Sequence, residues 1–261
     1  MPRIFIFGLG YSAKVIAAQL RAQNWDIVST GRDGSLHFDD GGNIRAALAD
    51  SSHVLSSIPP DGTGADPVLE NYAAALTGKH LSYLSSTGVY GNTGGAWVDE
   101  SAATGTGRRT ARAAADQAWL NLGANVYRLP GIYGPTRSAL DRVRAGTARR
   151  IDLPHQIFSR IHVADLASGV IAGLNAPAGA YNLADNHPSS QNAVIDEACR
   201  LLNLAPPPLQ TLEQADLSPM ARAFYAENRR VANTKAKRLL GWSPQYPTYR
   251  EGLSALMPLH L

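Results

Sequence analysis

Close to the start of the 261-residue chain, Gly8-Leu9-Gly10-Tyr11-Ser12-Ala13 has the pattern G-x-G-x-x-A. These residue types suit a phosphate-binding turn. The first glycine permits a sharp turn, the second lets an anion approach the backbone, and the small third residue lets a helix pack close to a sheet. Free N–H groups of that helix would face the phosphates of a dinucleotide. The ribose of such a ligand is read about 20 residues further on, and there the chain carries Ser29-Thr30-Gly31-Arg32-Asp33. An arginine at this place pairs with the 2′-phosphate of NADP, whereas a carboxylate bonds the 2′-hydroxyl of NAD. With Arg32 ahead of Asp33 and no acid at position 30 or 31, NADP is the expected ligand, with NAD the alternative if Asp33 turns inward. Asp39 could meet the adenine amino group or, like Asp40, cap a helix.

These residues need a strand before the glycines and a helix after them. Ile4 to Phe7 reads as a buried strand, and Ala13, Ile16, Ala17 and Leu20 recur at helical spacing. Further strands are expected at 26–30, 36–38, 53–58, 81–85 and 125–129, with helices at 67–76 and 107–122. Alternating strand and helix implies an α/β protein, a doubly wound parallel sheet of the Rossmann type covered on both faces. From about Thr136 the pattern becomes irregular. The expected division is a dinucleotide-binding domain over 1–175, with 136–158 contributing to a smaller substrate-covering region over 176–261 and one return to the main domain near 161–174.

Composition excludes several classes. The 24 basic residues divide into 20 Arg and 4 Lys against 21 acids, a net charge of +3 that is weak for this length and does not point to nucleic acid. Cys199 alone rules out a disulfide framework, and the seven histidines show no zinc-helix spacing, so no metal is expected. No apolar run is long enough for a membrane span, and the amino-terminal run is too short for a signal peptide. A cytoplasmic protein is the expectation.

The segment Leu84-Ser85-Ser86-Thr87-Gly88-Val89-Tyr90-Gly91 resembles the fifth-strand signature of the extended short-chain dehydrogenase/reductases, in their NAD-dependent epimerase/dehydratase branch. Four further segments agree in order: Trp97 to Glu100, Tyr127 to Pro135, Arg160 to Leu166, and Ala236 to Gly252. The resemblance spans essentially the whole chain. It implies a nicotinamide cofactor held by Gly8, Gly10, Tyr11, Ser12, Ala13, Arg32 and Asp39. Ile58, Pro59, Ser85, Pro130 and Ile132 would complete that groove. It also implies a small-molecule substrate, and pairing through the long helix into a homodimer.

The same resemblance implies a catalytic Ser or Thr, a Tyr, and a Lys four residues after the Tyr. Ser86 falls on the serine position, but with Asp116 aligned to the usual acid the other two become Arg108 and Arg112. A guanidinium does not deprotonate in a protein, so Arg108 cannot exchange a proton as tyrosine does. It can bind an anion or stabilise negative charge. Arg108, Arg112 and Asp116 are expected on one helical stripe, with an Arg112–Asp116 ion pair as the plain structural alternative. No tyrosine is followed by lysine at the family spacing, so Tyr90 or Tyr133 would have to supply any phenol. Glu100 is a candidate base or a loop carboxylate. The arginines at 142, 144, 149 and 150, and at 222, 229, 230 and 238, could hold an anionic or nucleotide-linked substrate or be solvated faces. The expected activity is an NADP-preferring oxidoreductase or epimerase acting on a small polar or sugar-derived carbonyl or hydroxyl compound. The alternative is a non-catalytic redox sensor, which a filled cleft at Ser86 would favour.

Overall fold

The computed structural model describes residues 1–257, the Met220 side chain excepted. Strand β1 (Arg3–Phe7) runs into helix α1 (Tyr11–Ala22), followed by β2 (Asp26–Ser29), α2 (Gly41–Ala49), β3 (His53–Ser56), α3 (Pro67–Tyr72) and β4 (His80–Ser86). After the two-residue β5 (Trp97–Val98) come α4 (Thr110–Asn121) and β6 (Asn125–Leu129). Then follow β7 (Gly131–Tyr133), α5 (Ala139–Arg144), β8 (Arg150–Ile151), β9 (Arg160–His162), α6 (Val163–Ala172) and β10 (Gly179–Asn182). The chain ends through α7 (Gln191–Leu202), β11 (Leu209–Gln210), α8 (Pro219–Tyr225), β12 (Arg230–Val231), α9 (Thr234–Leu240) and α10 (Tyr249–Ala255).

The six-stranded sheet has the order β2-β1-β3-β4-β6-β10, with every neighbouring pair parallel. The two-residue period of β1 explains the layers. Ile4 and Ile6 pack with Ile16 and Leu20 of α1 and Leu166 and Val170 of α6, while Phe5 and Phe7 pack with Ile44, Val68 and Trp119 on the other face. The strand order reverses direction between β1 and β3, which opens a crevice at the carboxyl ends of the strands. This is the doubly wound architecture expected from the pattern.

Three local expectations need correction. Residues 36–38 form no strand: a single bridge joins Thr30 to Leu36, and the Phe38 carbonyl instead accepts from the Tyr72 hydroxyl at 2.5 Å. The main sheet extends past residue 175, because β10 pairs with β6. The smaller region around Leu140, Val194, Ala198 and Leu253 is therefore built from α5, α7 and α10. Helix α4 begins at Thr110, not 107. Gly107 crosses Gly91 so closely that an added Cβ would stand 2.5 Å from the Gly91 Cα, and this backbone crossing holds residues 105–108 outside the helix.

Asp116 is not on the surface. It is 1% exposed and takes Nη2 and Nε of Arg128 at 2.7 and 3.1 Å, together with the Ser85 hydroxyl at 2.6 Å. One carboxylate thus ties α4 to β4 and β6. Removing one partner of such a pair leaves the other charge buried, so Asp116→Ala is expected to cost about 3–5 kcal/mol in denaturant unfolding. Asp116→Leu combined with Arg128→Met should recover most of that loss, and an unrecovered double variant would show that the charges themselves are required.

Candidate active site

The glycine turn has the geometry its residue types suggest. Gly8 has φ +83°, and a Cβ there would meet Ile58 Cγ1 at 2.9 Å and Ser57 Oγ at 3.0 Å. The Gly8 carbonyl accepts from the Ser57 hydroxyl, and its N–H donates to Thr30 Oγ1 at 3.0 Å. Gly10 caps α1 without a side-chain hydrogen bond, no acid stands in the first turn, and nothing lies within 4 Å of where its Cβ would be. The first N–H groups of α1 therefore have no side-chain cap, and the open space beside Gly10 leaves room for an anion to meet them.

Beyond β2, the Leu9 N–H donates to the Thr30 carbonyl at 2.7 Å, and a Cβ on Gly31 would stand only 3.0 Å from the Leu9 nitrogen, so the exposed Arg32 follows directly beside the turn. Asp33 forms an ion pair with Lys14, whose hydrogen bond and charge lower its pKa. Arg32 meets no acid within ion-pair distance among the described residues. Asp40, not Asp39, caps α2, accepting from the Asn43 N–H at 3.4 Å; Asp39 stays exposed. Ile58 lies against Gly8, and Pro59 is exposed on the loop after β3.

Below the turn is a cleft of about 440 Å³ whose lining includes Tyr11, Ser12, Ala13, Ser86, Pro130 and Ile132. Ser86 stands at the end of β4, where its Oγ accepts from the Gly88 N–H at 3.1 Å and keeps its own proton to donate. Ser85 reaches the same wall, but its hydroxyl is spent on Asp116. Tyr90 is not in the cleft. It is 1% exposed, donates to Asn182 Oδ1 at 2.8 Å and accepts from Arg128 Nη1 at 3.0 Å, and burial pushes its pKa up to about 12. Contrary to expectation, Tyr90 therefore supplies no catalytic phenol to the cleft.

The arginines are arranged differently from the expected stripe. Arg108 precedes α4 and reaches Glu227 at 3.4 Å. Arg112 lines the cleft and donates Nη1 to the Tyr83 hydroxyl at 3.0 Å and the Leu84 carbonyl at 3.3 Å, so it does not pair with Asp116. Arg109, Arg137 and Arg229 complete five guanidiniums around the cleft. Partial burial, with Arg108 and Arg112 nearby, lowers the pKa of Arg109. Among the described residues Glu227 is the one carboxylate on the lining, bonded to Arg229 at 2.9 Å. Arg109, Arg137 and Glu227 had no sequence signal, because three separate segments bring them together. Of the two arginine clusters, 229 reaches this cleft and 142 a neighbouring chamber, while Arg150 pairs with Asp196 at 3.0 Å and Arg222 donates to the Leu212 carbonyl. Glu100 accepts from the Asn182 N–H at 2.6 Å, a structural role.

The neighbouring chamber, about 470 Å³, shares Gly131, Ile132, Arg137, Phe158, Ser159 and Phe224 with the first. Phe158 and Phe224 stack with centroids 4.4 Å apart at 7°. Tyr133 lines this chamber with a buried hydroxyl that has no partner among the described residues, its pKa raised by burial. Deeper in, burial lowers the His162 pKa to about 4 and raises that of Asp185 to about 7. Among the described residues no group of three or more His, Cys, Asp or Glu could hold a metal, and no helix is long and apolar enough to cross a membrane.

No family model matches the chain. A conserved protein of unknown function from Silicibacter pomeroyi is 39% identical and superposes with a TM-score of 0.87, covering 98% of each chain. A human epimerase family protein crystallised with NADPH shares the fold at 16% identity and a TM-score of 0.78, over 97% of this chain and 98% of that one. A curated 3-diazoavenalumate denitrifying reductase from Streptomyces sp. is 32% identical over 148 residues, 51% of this chain. The matched region is 47% of that relative, so the chain spans about half its length.

Two measurements check this geometry. Gly8→Ala should destabilise the fold by on the order of 1–2 kcal/mol through strain at positive φ, whereas Gly10→Ala should leave thermal stability within about 0.5 kcal/mol. Equal losses would show that the turn is not built as described. For Asp185, the folded pKa is raised above the unfolded value of 3.8, so ionising it opposes folding and stability falls as pH rises from about 4 to about 7. Asp185→Asn should therefore gain stability over the parent at pH 8 and little at pH 4.5, read by thermal melts.

Proposed function

The chain belongs to the extended short-chain dehydrogenase/reductases of the NAD-dependent epimerase/dehydratase kind, as an atypical member without the usual tyrosine and lysine, and from this we propose an NADP(H)-preferring oxidoreductase acting on a small anionic carbonyl or hydroxyl compound. The observation that carries the proposal is the open amino end of α1 facing a cleft ringed by five arginines at the carboxyl edge of the sheet. The uncapped N–H groups of α1 take the pyrophosphate, and Arg32 takes the 2′-phosphate. Ile58, Pro59 and Asp39 flank the adenosine, while Pro130 and Ile132 lie along the nicotinamide side. The dinucleotide supplies or accepts the hydride.

Every other task falls to this chain. Ser86 donates to the substrate oxygen from the end of β4. Arg108 and Arg112 hold the substrate's anionic group and favour charge that develops on its oxygen. Glu227 serves as the counter-ion of both Arg108 and Arg229. The curated relative is a reductase by name, which supports reduction as the direction. A purely sensory role is less well supported, since Ser86 lines an open cleft.

Titration calorimetry tests the first step. Arg32→Ala should weaken NADPH binding roughly tenfold to a hundredfold, the worth of charge-assisted hydrogen bonds, and change NADH binding little. Unaltered NADPH affinity would remove the NADP preference, and no binding of either dinucleotide would remove the whole reading. Ser86→Ala should lower turnover without changing dinucleotide affinity.

A further inference from the structure

The cleft has hydrogen-bond donors and positive charge, but it has no acid to spare. Its ionisable lining consists of five arginines, Tyr11 and Glu227. The arginines keep their protons. Tyr11 already donates to the Pro135 carbonyl at 3.0 Å, at the pyrophosphate end of the site. Glu227 is the counter-ion of Arg108 and Arg229. Among the described residues no His, Lys or Cys lines either chamber, and Asp141 of the second is engaged in the capping box with Ser138. The tyrosines of the second chamber, Tyr133 and Tyr249, are 8% and 2% exposed. Hydride addition to an isolated ketone creates a localised alkoxide, which needs a proton from a positioned acid as it forms. This cleft is built for charge stabilisation instead.

A second, independent feature narrows the acceptor. The stacked rings of Phe158 and Phe224 form a flat wall shared by both chambers, next to the arginines, and Phe224 is 41% exposed. An aromatic face of this kind favours a planar, delocalised partner. We propose that the substrate is a flat conjugated carbonyl compound carrying a carboxylate, reduced at carbon by conjugate hydride addition without an enzyme-held acid. The inference rests on the nicotinamide reading above. In the step, a hydride from the reduced nicotinamide forms a new C–H bond at the carbon β to the carbonyl. The C=C π bond breaks, its electron pair forms a new π bond between the α carbon and the carbonyl carbon, and the C=O π pair moves onto the oxygen. Two electrons have then passed from the dinucleotide to the acceptor. The delocalised enolate is held by the guanidiniums of Arg108 and Arg112, with Ser86 donating to the same oxygen. Water finally protonates the α carbon and leaves hydroxide.

Two probes separate the chemistries. The first, 4-oxo-4-phenylbut-2-enoate, is conjugated; the second, 4-oxo-4-phenylbutanoate, has the same ring, ketone and carboxylate but no C=C bond. With NADPH, the conjugated probe should be consumed at least about a hundredfold faster, the lower range of what a missing general acid costs. Hydride-labelled NADPH should place deuterium β to the ketone, and heavy water should label the α carbon. Calorimetry of the conjugated probe in the presence of NADP gives a readout apart from turnover. Arg108→Gln should weaken probe binding about tenfold or more, and Phe224→Ala several-fold, both with NADP affinity unchanged. Comparable reduction of the saturated ketone, or turnover of neither probe by protein that binds NADPH, would overturn the inference alone. Absence of any dinucleotide binding would bring down the reading beneath it as well.

Discussion

The Asp116 carboxylate is the interaction on which the site depends. It sits between α4, β4 and β6 and satisfies Arg128 and Ser85 at once. A buried ion pair adds little net stability by itself, since desolvation offsets most of the attraction. Its effect here is positional: it joins α4 to β4 and β6, and on that docked helix Arg112 lies against Tyr83 and Leu84 at the cleft wall. Arg128 extends the network to the Tyr90 hydroxyl and the Glu100 carbonyl, and so fixes the loop after β4.

The same contact determines the charge of the cleft. Because Asp116 is spent in the core, the acid nearest Arg112 in the helix gives it no counter-charge. Five guanidiniums and one carboxylate among the described residues then face a concave space, where their field is focused. A net charge of +3 over 261 residues gives no hint of this. The charge asymmetry is local, produced by folding three distant segments, 108–112, 137 and 227–229, around one crevice.

The glycine turn shows the complementary case. Positive φ at Gly8 and the free space beside Gly10 follow from residue type within a strand-turn-helix unit, so the geometry of this turn is legible in the amino-acid sequence alone. Sequence reasoning fails where a residue's role depends on which neighbour it meets. Tyr90 lies on the right segment, yet its hydroxyl turns inward to Asn182 and Arg128. Arg108 has the spacing for a helical stripe, yet the Gly91–Gly107 crossing leaves it outside the helix.

The sequence by itself determined the parallel α/β sheet and the glycine turn, through hydrophobic period and a glycine's lack of a side chain. The loss of the tyrosine-lysine pair and the place of Ser86 were legible only through the resemblance to a family whose motifs lie in the same order. Only the tertiary structure decided that Asp116 belongs to Arg128, that β10 completes the main sheet, and that Arg109, Arg137, Arg229 and Glu227 share a cleft with the Phe158–Phe224 wall. Those outcomes depend on which of several arginines reaches a given acid and which loops converge. Charge attracts without specifying a partner, and the tertiary arrangement of the elements decides which charges meet.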